Sequence, residues 1–479
     1  MSGILFAGTS SDAGKSLVVT GVCRALANRG LRVAPFKAQN MSNNSAICAD
    51  GGEIGRAQYL QAQAARLEPS TLLNPVLLKP GSDRRAHVVL RGRDAGTLEA
   101  GEYATGRAHL AGAAFAAYTQ LAQTHDLVLV EGAGSPAEIN LRERDYVNMG
   151  LARQFDLPVV VVGDIDRGGV LASLYGTWAL LEPDDQRLLA GYVINKFRGD
   201  QAVLDPGLAE ITRRTGLPCF GVLPWLPGVW LDGEDALDVA RWDRELSPTD
   251  GPELRVAVVR LPRISNATDV EALAATHGVR VEVTSDPRHF ADADLLVLPG
   301  SRATISDLAW LRERGIDHVV IDRHTAGRPT LGICGGFEML AATITDDVES
   351  RSGRVAGLGT LPVHFTFERE RTTRRATHAW GHLVVPGYEI HHGQFTPTSP
   401  AEPFLDGVRV GATFGTMLHG AFEDDDFRTA FLTHVATLTG SAWRPTPGTG
   451  YAHTRETMID TLADAVETHL DLDAILALA

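Results

Sequence analysis

Cys334 stands in Gly332-Ile333-Cys334-Gly335-Gly336, between the apolar stretch Pro329-Thr330-Leu331 and the run Phe337-Glu338-Met339-Leu340-Ala341-Ala342. The pattern predicts a strand, a sharp turn carrying the thiol, and a helix, since the flanking glycines permit a bend that a Cβ would obstruct. A cysteine so placed meets a helix N-terminus, whose dipole favours the thiolate. The amide of Gly335 can then donate to an oxyanion. A nucleophilic thiolate also needs a base, and the candidate is His419 in Phe414-Gly415-Thr416-Met417-Leu418-His419-Gly420.

A second constellation lies at the start of the chain. The short apolar strand Ile4-Leu5-Phe6-Ala7 runs into Gly8-Thr9-Ser10-Ser11-Asp12-Ala13-Gly14-Lys15-Ser16, and an amphipathic helix follows from about Leu17 to Asn28. Strand, glycine loop, Lys-Ser and helix make a phosphate-binding loop. Its amides cradle phosphates, Lys15 reaches the terminal phosphate, and the Ser16 hydroxyl meets Mg²⁺. Thr9, Asp12, Ala13 and Gly14 complete the expected ATP site. The loop is one residue longer between its glycines than the common pattern.

The elements that must position these residues read as two α/β units. In the first, Arg32–Phe36, Leu127-Val128-Leu129-Val130, Pro158–Gly163, Gly191–Ile194 and Cys219–Leu223 read as buried parallel strands. Glu131 ends the second of these and is a candidate Mg²⁺ ligand, directly or through water. Asn195, at another strand end, is read as an adenine contact or a plain cap. Leu237–Glu253 mixes charge with Ser247-Pro248-Thr249-Asp250-Gly251-Pro252 and reads as a linker. A new strand, Leu254–Leu261, opens the second unit. Its buried strand Asp294-Leu295-Leu296-Val297-Leu298 ends at Pro299-Gly300. The expected organisation is a phosphate-loop domain over 1–236, a linker over 237–253, a second α/β domain over 254–440 and a helical tail over 441–479. In that tail Met458, Leu462, Val466 and Leu470 recur at helical spacing.

The totals exclude several function classes. A chain of 479 residues is too long for one core. A formal charge of −15 argues against a nucleic-acid surface. No apolar run approaches a membrane span, and a strand begins within the first residues, so no leader is expected. The four cysteines (Cys23, Cys48, Cys219 and Cys334) are too dispersed for a disulfide framework or a zinc site and suit a reducing cytoplasm. His378, His382, His391 and His392 show no metal-ligand spacing.

The Cys334 and His419 segments resemble class I glutamine amidotransferase domains. The resemblance implies attack of the cysteine on the glutamine amide with release of ammonia, and a second oxyanion donor from the loop around Gly300. Members of that class place a glutamate two residues after the histidine, where this chain has Ala421. Glu423 is a candidate orienting acid, a role the sequence leaves open. The phosphate loop resembles that of dethiobiotin synthetase and its relatives, which activate carboxylates with ATP. Thr9 follows Gly8 where partition-type ATPases carry a signature lysine, which counts against a nucleotide-switched binding protein.

Four further stretches are rich in amides, acids and glycine: Phe36–Ser45, Asn74–Pro80, Glu138–Gly150 and Asp164–Gly169. With the two motifs they resemble the cobyric acid synthase family across most of the chain. The fold implied is an N-terminal parallel-sheet domain of dethiobiotin synthetase type joined to a C-terminal amidotransferase α/β domain. The implied partners are ATP, Mg²⁺, L-glutamine and a corrinoid, adenosylcobyrinic acid a,c-diamide, amidated at its b, d, e and g carboxylates. Lys37, Gln39, Asn40, Asn74, Lys79, Asn140 and Asp166 are the expected substrate contacts. Asp145 is read either as an acceptor-side acid positioning substrate or ammonium, or as a helix N-cap. Cobyrinic acid a,c-diamide synthase shares this domain pair, but its acidic, proline-containing segment differs from Lys37-Ala38-Gln39-Asn40. Another relative, acting on a cell-wall lipid precursor, divides the two activities between chains.

Overall fold

Continuous apolar runs such as Leu127-Val128-Leu129-Val130 can only be strands covered on both faces, and two parallel sheets bury them. In the computed structural model, which describes residues 3–82, 85–99, 107–229, 251–446, 448 and 450–479, the first sheet has six parallel strands. Their order is Cys219–Pro224, Leu189–Phe197, Val159–Asp164, Gly3–Gly8, Leu127–Glu131 and Val33–Phe36. Gly3–Gly8 is central, so the loop leaving it lies where strand order reverses, the usual place for a ligand crevice.

The second sheet has seven strands: Val279–Thr284, Leu254–Val259, Leu295–Leu298, Thr330–Ile333, Thr413–Thr416, Gly407–Val410 and Glu402–Phe404. The first five run parallel and the last two close the edge antiparallel. Thr330–Ile333 and Thr413–Thr416 are neighbours, with Ile333 opposite Thr416. This register carries Cys334 and His419 to the same sheet edge.

Two additions modify the plan. Gln39–Met41, Val76–Ser82, Arg85–Leu90 and Arg93–Glu99 form a small sheet beside the first domain. Beside the second, Leu361–Trp380 and Leu383–Pro397 form a long hairpin. The helix after Cys334 is shorter than the sequence suggests. It spans Gly335–Leu340, and Ala341–Asp346 becomes a strand beside Leu361–Trp380. The β-branched Thr343, Ile344 and Thr345 account for the switch.

The linker expected at 237–253 falls mostly outside the described residues. The tail forms a helix, Tyr451–His469, lying on the phosphate-loop helix Lys15–Asn28. Approach is so close at Gly21 that a Cβ there would stand 2.7 Å from the Val466 side chain and 3.0 Å from the Leu462 carbonyl. Arg24 seals the contact with ion pairs to Glu456 (2.6 Å) and Asp460 (2.8 Å). Among the described residues, no helix is long and apolar enough to cross a membrane.

Candidate active site

Cys334 adopts φ 50° and ψ −111°, a conformation a side chain rarely takes. Two hydrogen bonds hold it there: its amide donates to the Thr416 carbonyl at 2.8 Å, and its carbonyl accepts from the Glu338 amide at 2.9 Å. Gly336 makes the turn possible, because a Cβ at that position would lie 1.9 Å from the Leu298 carbonyl oxygen. A Cβ at Gly335 would lie 2.7 Å from the Ser301 amide, which presses the turn against the loop containing Gly300. Gly300 pairs with Ser265 in a short antiparallel ladder and faces His419, whose Cε1 is 3.2 Å from where its Cβ would be.

His419 is buried. Its Nδ1 is 2.6 Å from Asp269 Oδ2, and the other Asp269 oxygen accepts from the Gly420 amide at 2.8 Å. On the other side Tyr388 stacks on the imidazole, with ring centroids 5.5 Å apart, and exchanges two backbone hydrogen bonds with it. Cys334 is within hydrogen-bonding reach of the ring. Burial opposes the imidazolium, but the Asp269 carboxylate and the Cys334 sulfur outweigh it and hold the His419 pKa up at about 10. The helix after Cys334 has six residues, and the His419 ring beside the sulfur is the group placed to exchange its proton.

Glu423 does not orient His419. Its carboxylate is taken by Arg56 and Arg455, each at 2.6 Å. The orienting acid is Asp269, which sequence reasoning missed. Asp269 sits in the first turn of helix Thr268–Ala274, where an acid reads as ordinary helix chemistry.

Cys334 and His419 face a narrow cleft of ≈ 40 Å³ whose lining includes Arg302, Thr304, Glu338, Glu349 and Arg371. Lys79 of the first domain also lines it. Lys79 Nζ bonds Glu53 at 2.5 Å, and Arg371 of the second domain bonds the other Glu53 oxygen at 2.8 Å. Glu53 is buried, yet Arg371 and Lys79 hold its carboxyl well below the usual range. Burial brings Lys79 down to about 8. Glu338 lacks such a cation, and burial raises its pKa to about 8 despite the 2.6 Å hydrogen bond from Thr304.

The phosphate loop is built as expected around Gly14, at φ 89°. Lys15 Nζ donates to the Ser10 and Gly134 carbonyls at 3.0 and 3.3 Å. The Thr9 amide reaches back to the Val162 carbonyl, and the Ala13 and Asp12 carbonyls accept from Asn195 (3.1 Å) and Lys196 (2.7 Å). Asn195 is buried against the loop, so its visible work is to brace the loop. Glu131 accepts from Ser16 (2.8 Å), Lys37 (2.8 Å) and Gln61 (2.5 Å). Burial alone would neutralise Glu131, but Lys37 and Gln61 hold it ionised. The Ser16 hydroxyl beside an ionised carboxylate is a hard-oxygen pair that fits Mg²⁺.

The expected substrate contacts divide. Asn140 and Asp166 are exposed near the loop edges. Lys37, Gln39, Asn40, Asn74 and Lys79 are buried and partnered within the protein. Gln39 accepts from Tyr146 (2.5 Å), Asn40 donates to Gln58 (2.9 Å), and Asn74 donates to the Lys37 and Val76 carbonyls (both 3.0 Å). In the structure these five form a buried polar network, and Lys79 also lines the cleft. Asp145 lies just ahead of helix Met149–Phe155. Its oxygens accept from the Val147, Asn148 and Gly150 amides at 2.8, 2.9 and 2.8 Å, at the start of helix Met149–Phe155. Elsewhere His378, Glu389 and Asp406 gather with ligand atoms within 4.8 Å of one another. Arg374 already pairs with Glu389 at 2.9 Å, so a cation is in place there.

Residues 255–427 match the CobB/CobQ-like glutamine amidotransferase domain, and residues 4–237 match the CobQ/CobB/MinD/ParA nucleotide binding domain. The chain is 62% identical over 482 residues to a cobyric acid synthase of Cutibacterium acnes, covering all of both chains. It is 55% identical to that of Mycolicibacterium vanbaalenii, covering 100% of this chain and 97% of the relative. It is 54% identical to that of Streptomyces avermitilis, covering 99% and 95%. The chain belongs to the cobyric acid synthase family.

Proposed function

We propose that this protein uses ATP and glutamine to amidate the b, d, e and g carboxylates of adenosylcobyrinic acid a,c-diamide. The observation that carries this reading is the pairing in one chain of the Cys334–His419–Asp269 constellation with a phosphate loop braced on Glu131. Full-length similarity to cobyric acid synthases supplies the acceptor.

The two halves supply complementary chemistry. A carboxylate resists ammonia because oxide is a poor leaving group, and phosphoryl transfer from ATP converts it to an acyl phosphate. Lys15 and the loop amides stabilise the charge that moves. Ser16 and Glu131 would hold Mg²⁺, which supplies further neutralisation of the phosphates. In the other half the Cys334 sulfur attacks the glutamine amide carbon, and the amides of Gly335 and the Gly300 loop receive the oxyanion. His419 then delivers its proton from Nε2 to the departing ammonia, leaving a thioester for water to cleave. Asp269 on Nδ1 keeps the ring in the tautomer that permits this. Ammonia near neutral pH is mostly protonated, so a sheltered route between the halves is required.

A mass spectrum of the corrinoid after incubation with protein, ATP, Mg²⁺ and glutamine tests the reading. Stepwise conversion of four carboxyls to amides is expected. An unchanged corrinoid with continued glutamine hydrolysis would move the acceptor to another acid.

A further inference from the structure

Two parts of the cysteine site hang from one short junction. Strand Ile264–Ser265 ends there and helix Thr268–Ala274 begins, with Asn266 and Ala267 between them. On one side of the junction Ser265 pairs with Gly300. On the other, Asp269 holds His419 Nδ1 and the Gly420 amide. The Asp269 amide donates to the Asn266 carbonyl at 3.0 Å, so the backbone of the orienting acid is tied directly to the junction. A drift at Asn266 or Ala267 therefore misplaces the oxyanion loop and the orienting acid together.

Resting on the glutamine-hydrolysing reading above, we propose that Asn44 of the first domain is a positioning residue for glutamine hydrolysis, fixing this junction from across the domain boundary.

The contact is a reciprocal clamp. The Ala267 amide donates to Asn44 Oδ1 at 3.1 Å, and the Ser45 amide donates to Asn266 Oδ1 at 3.0 Å. Each asparagine thus receives the backbone amide of the residue that follows the other. Asn44, Ser45 and Asn266 are buried, so water does not compete for these bonds. Helix Thr268–Ala274 has no side-chain cap at Ala267, and the Ala267 amide, one of the donors a helix start leaves over, finds its acceptor in the other domain. Asn266 stands at φ 50°, a left-handed conformation that asparagine tolerates better than most side chains. The same residue lines the cleft with Cys334 and His419.

The first-domain side of the clamp is anchored in its turn. The Asn44 amide donates to Ser42 Oγ at 3.0 Å. Ser45 Oγ donates to Glu53 at 2.6 Å and accepts from Lys79 at 2.9 Å. The segment 42–45 is therefore held in place by its own domain and acts as a fixed stop against which the junction is set.

The test compares, in the full-length protein with ATP and Mg²⁺, ammonia release from L-glutamine with corrinoid amidation supported by an ammonium salt. Asn44→Ala is expected to lower kcat for glutamine hydrolysis about tenfold or more and to leave the glutamine KM within about twofold. The ratio of glutamine-supported to ammonium-supported amidation should fall by the same factor. Asn44→Asp keeps an oxygen facing the Ala267 amide and should recover most of the lost rate. Asn266→Gly allows the left-handed backbone but removes the other acceptor, and it should show the same split even if Asn44→Ala folds poorly. Combining the two should cost no more than about twofold beyond the worse single change, because both open one clamp. Equal falls with both nitrogen sources, a raised KM in place of a lowered kcat, or multiplied losses in the double variant would overturn the proposal. A wild-type protein that amidates from ammonium but releases no ammonia from glutamine would overturn the glutaminase reading itself.

Discussion

The phosphate loop and the cysteine turn are the same device, a parallel strand entering a glycine turn and then a helix, used in opposite ways. In the first, left-handed positions fall on Asp12 (φ 58°) and Gly14 (φ 89°), neither of which carries a reacting atom. What the loop presents to a ligand is backbone amide, so strain at a side chain would be wasted. In the second, the left-handed position falls on the reacting residue itself, and glycines 335 and 336 make room around it. A single sulfur must be aimed by forcing its own backbone.

That contrast can be broken at several points. Cys334→Ala should abolish glutamine-supported amidation, by about 10³-fold or more, with amidation from added ammonium salt persisting. Lys15→Ala should remove both, since it acts on the step the two nitrogen sources share. If Lys15→Ala spared the ammonium-supported reaction, the division of labour would be wrong. Asp269→Asn comes next, with glutamine hydrolysis reduced about 10²-fold or more as the imidazole loses its orienting anion. It should also change the pH dependence of stability. A His419 pKa held at about 10, above its ordinary 6.5, stabilises the fold fully below pH 6.5, and the benefit fades as pH rises to about 10. Thermal denaturation across that window should lose this slope in the variant.

Glu53→Gln strands Lys79 and Arg371 across the domain boundary, and chemical denaturation should report a loss of about 3–5 kcal/mol. A further effect is expected at Glu338. Its raised pKa means the folded protein holds a proton that the unfolded chain releases, so stability declines from about pH 4.5 to about pH 8. Glu338→Gln keeps the shape and should flatten that decline in a pH series of melting temperatures.

Both turns were legible in the sequence because each is a local pattern: apolar strand, glycines, one reactive side chain, helix. Cys334 and His419 were legible as a pair because each ends a strand. Asp269 was not, because the contact joining it to His419 spans 150 positions and its local setting is that of any helix-start acid. Glu423 drew attention by its nearness to His419 in sequence, but the chain directs it to two arginines. Lys37, Asn40, Asn74 and Lys79 were recognisable as special but not as buried. Polar residues in glycine-rich stretches look alike whether they meet a ligand or one another, and only the small sheet that folds over them decides.

The contact between the tail helix and the phosphate-loop helix bears on how the molecule is made. Arg24 meets a partner 436 positions further along the chain. On the ribosome, the nucleotide-binding half emerges first but lacks one wall of its core until the last segment is synthesised. The same tail helix also joins the amidotransferase half, where Tyr451 is buried in the core and its hydroxyl donates to Glu271 at 2.9 Å. The phosphate-loop helix thus gains one wall of its packing only when a segment 436 positions further along the chain docks on it.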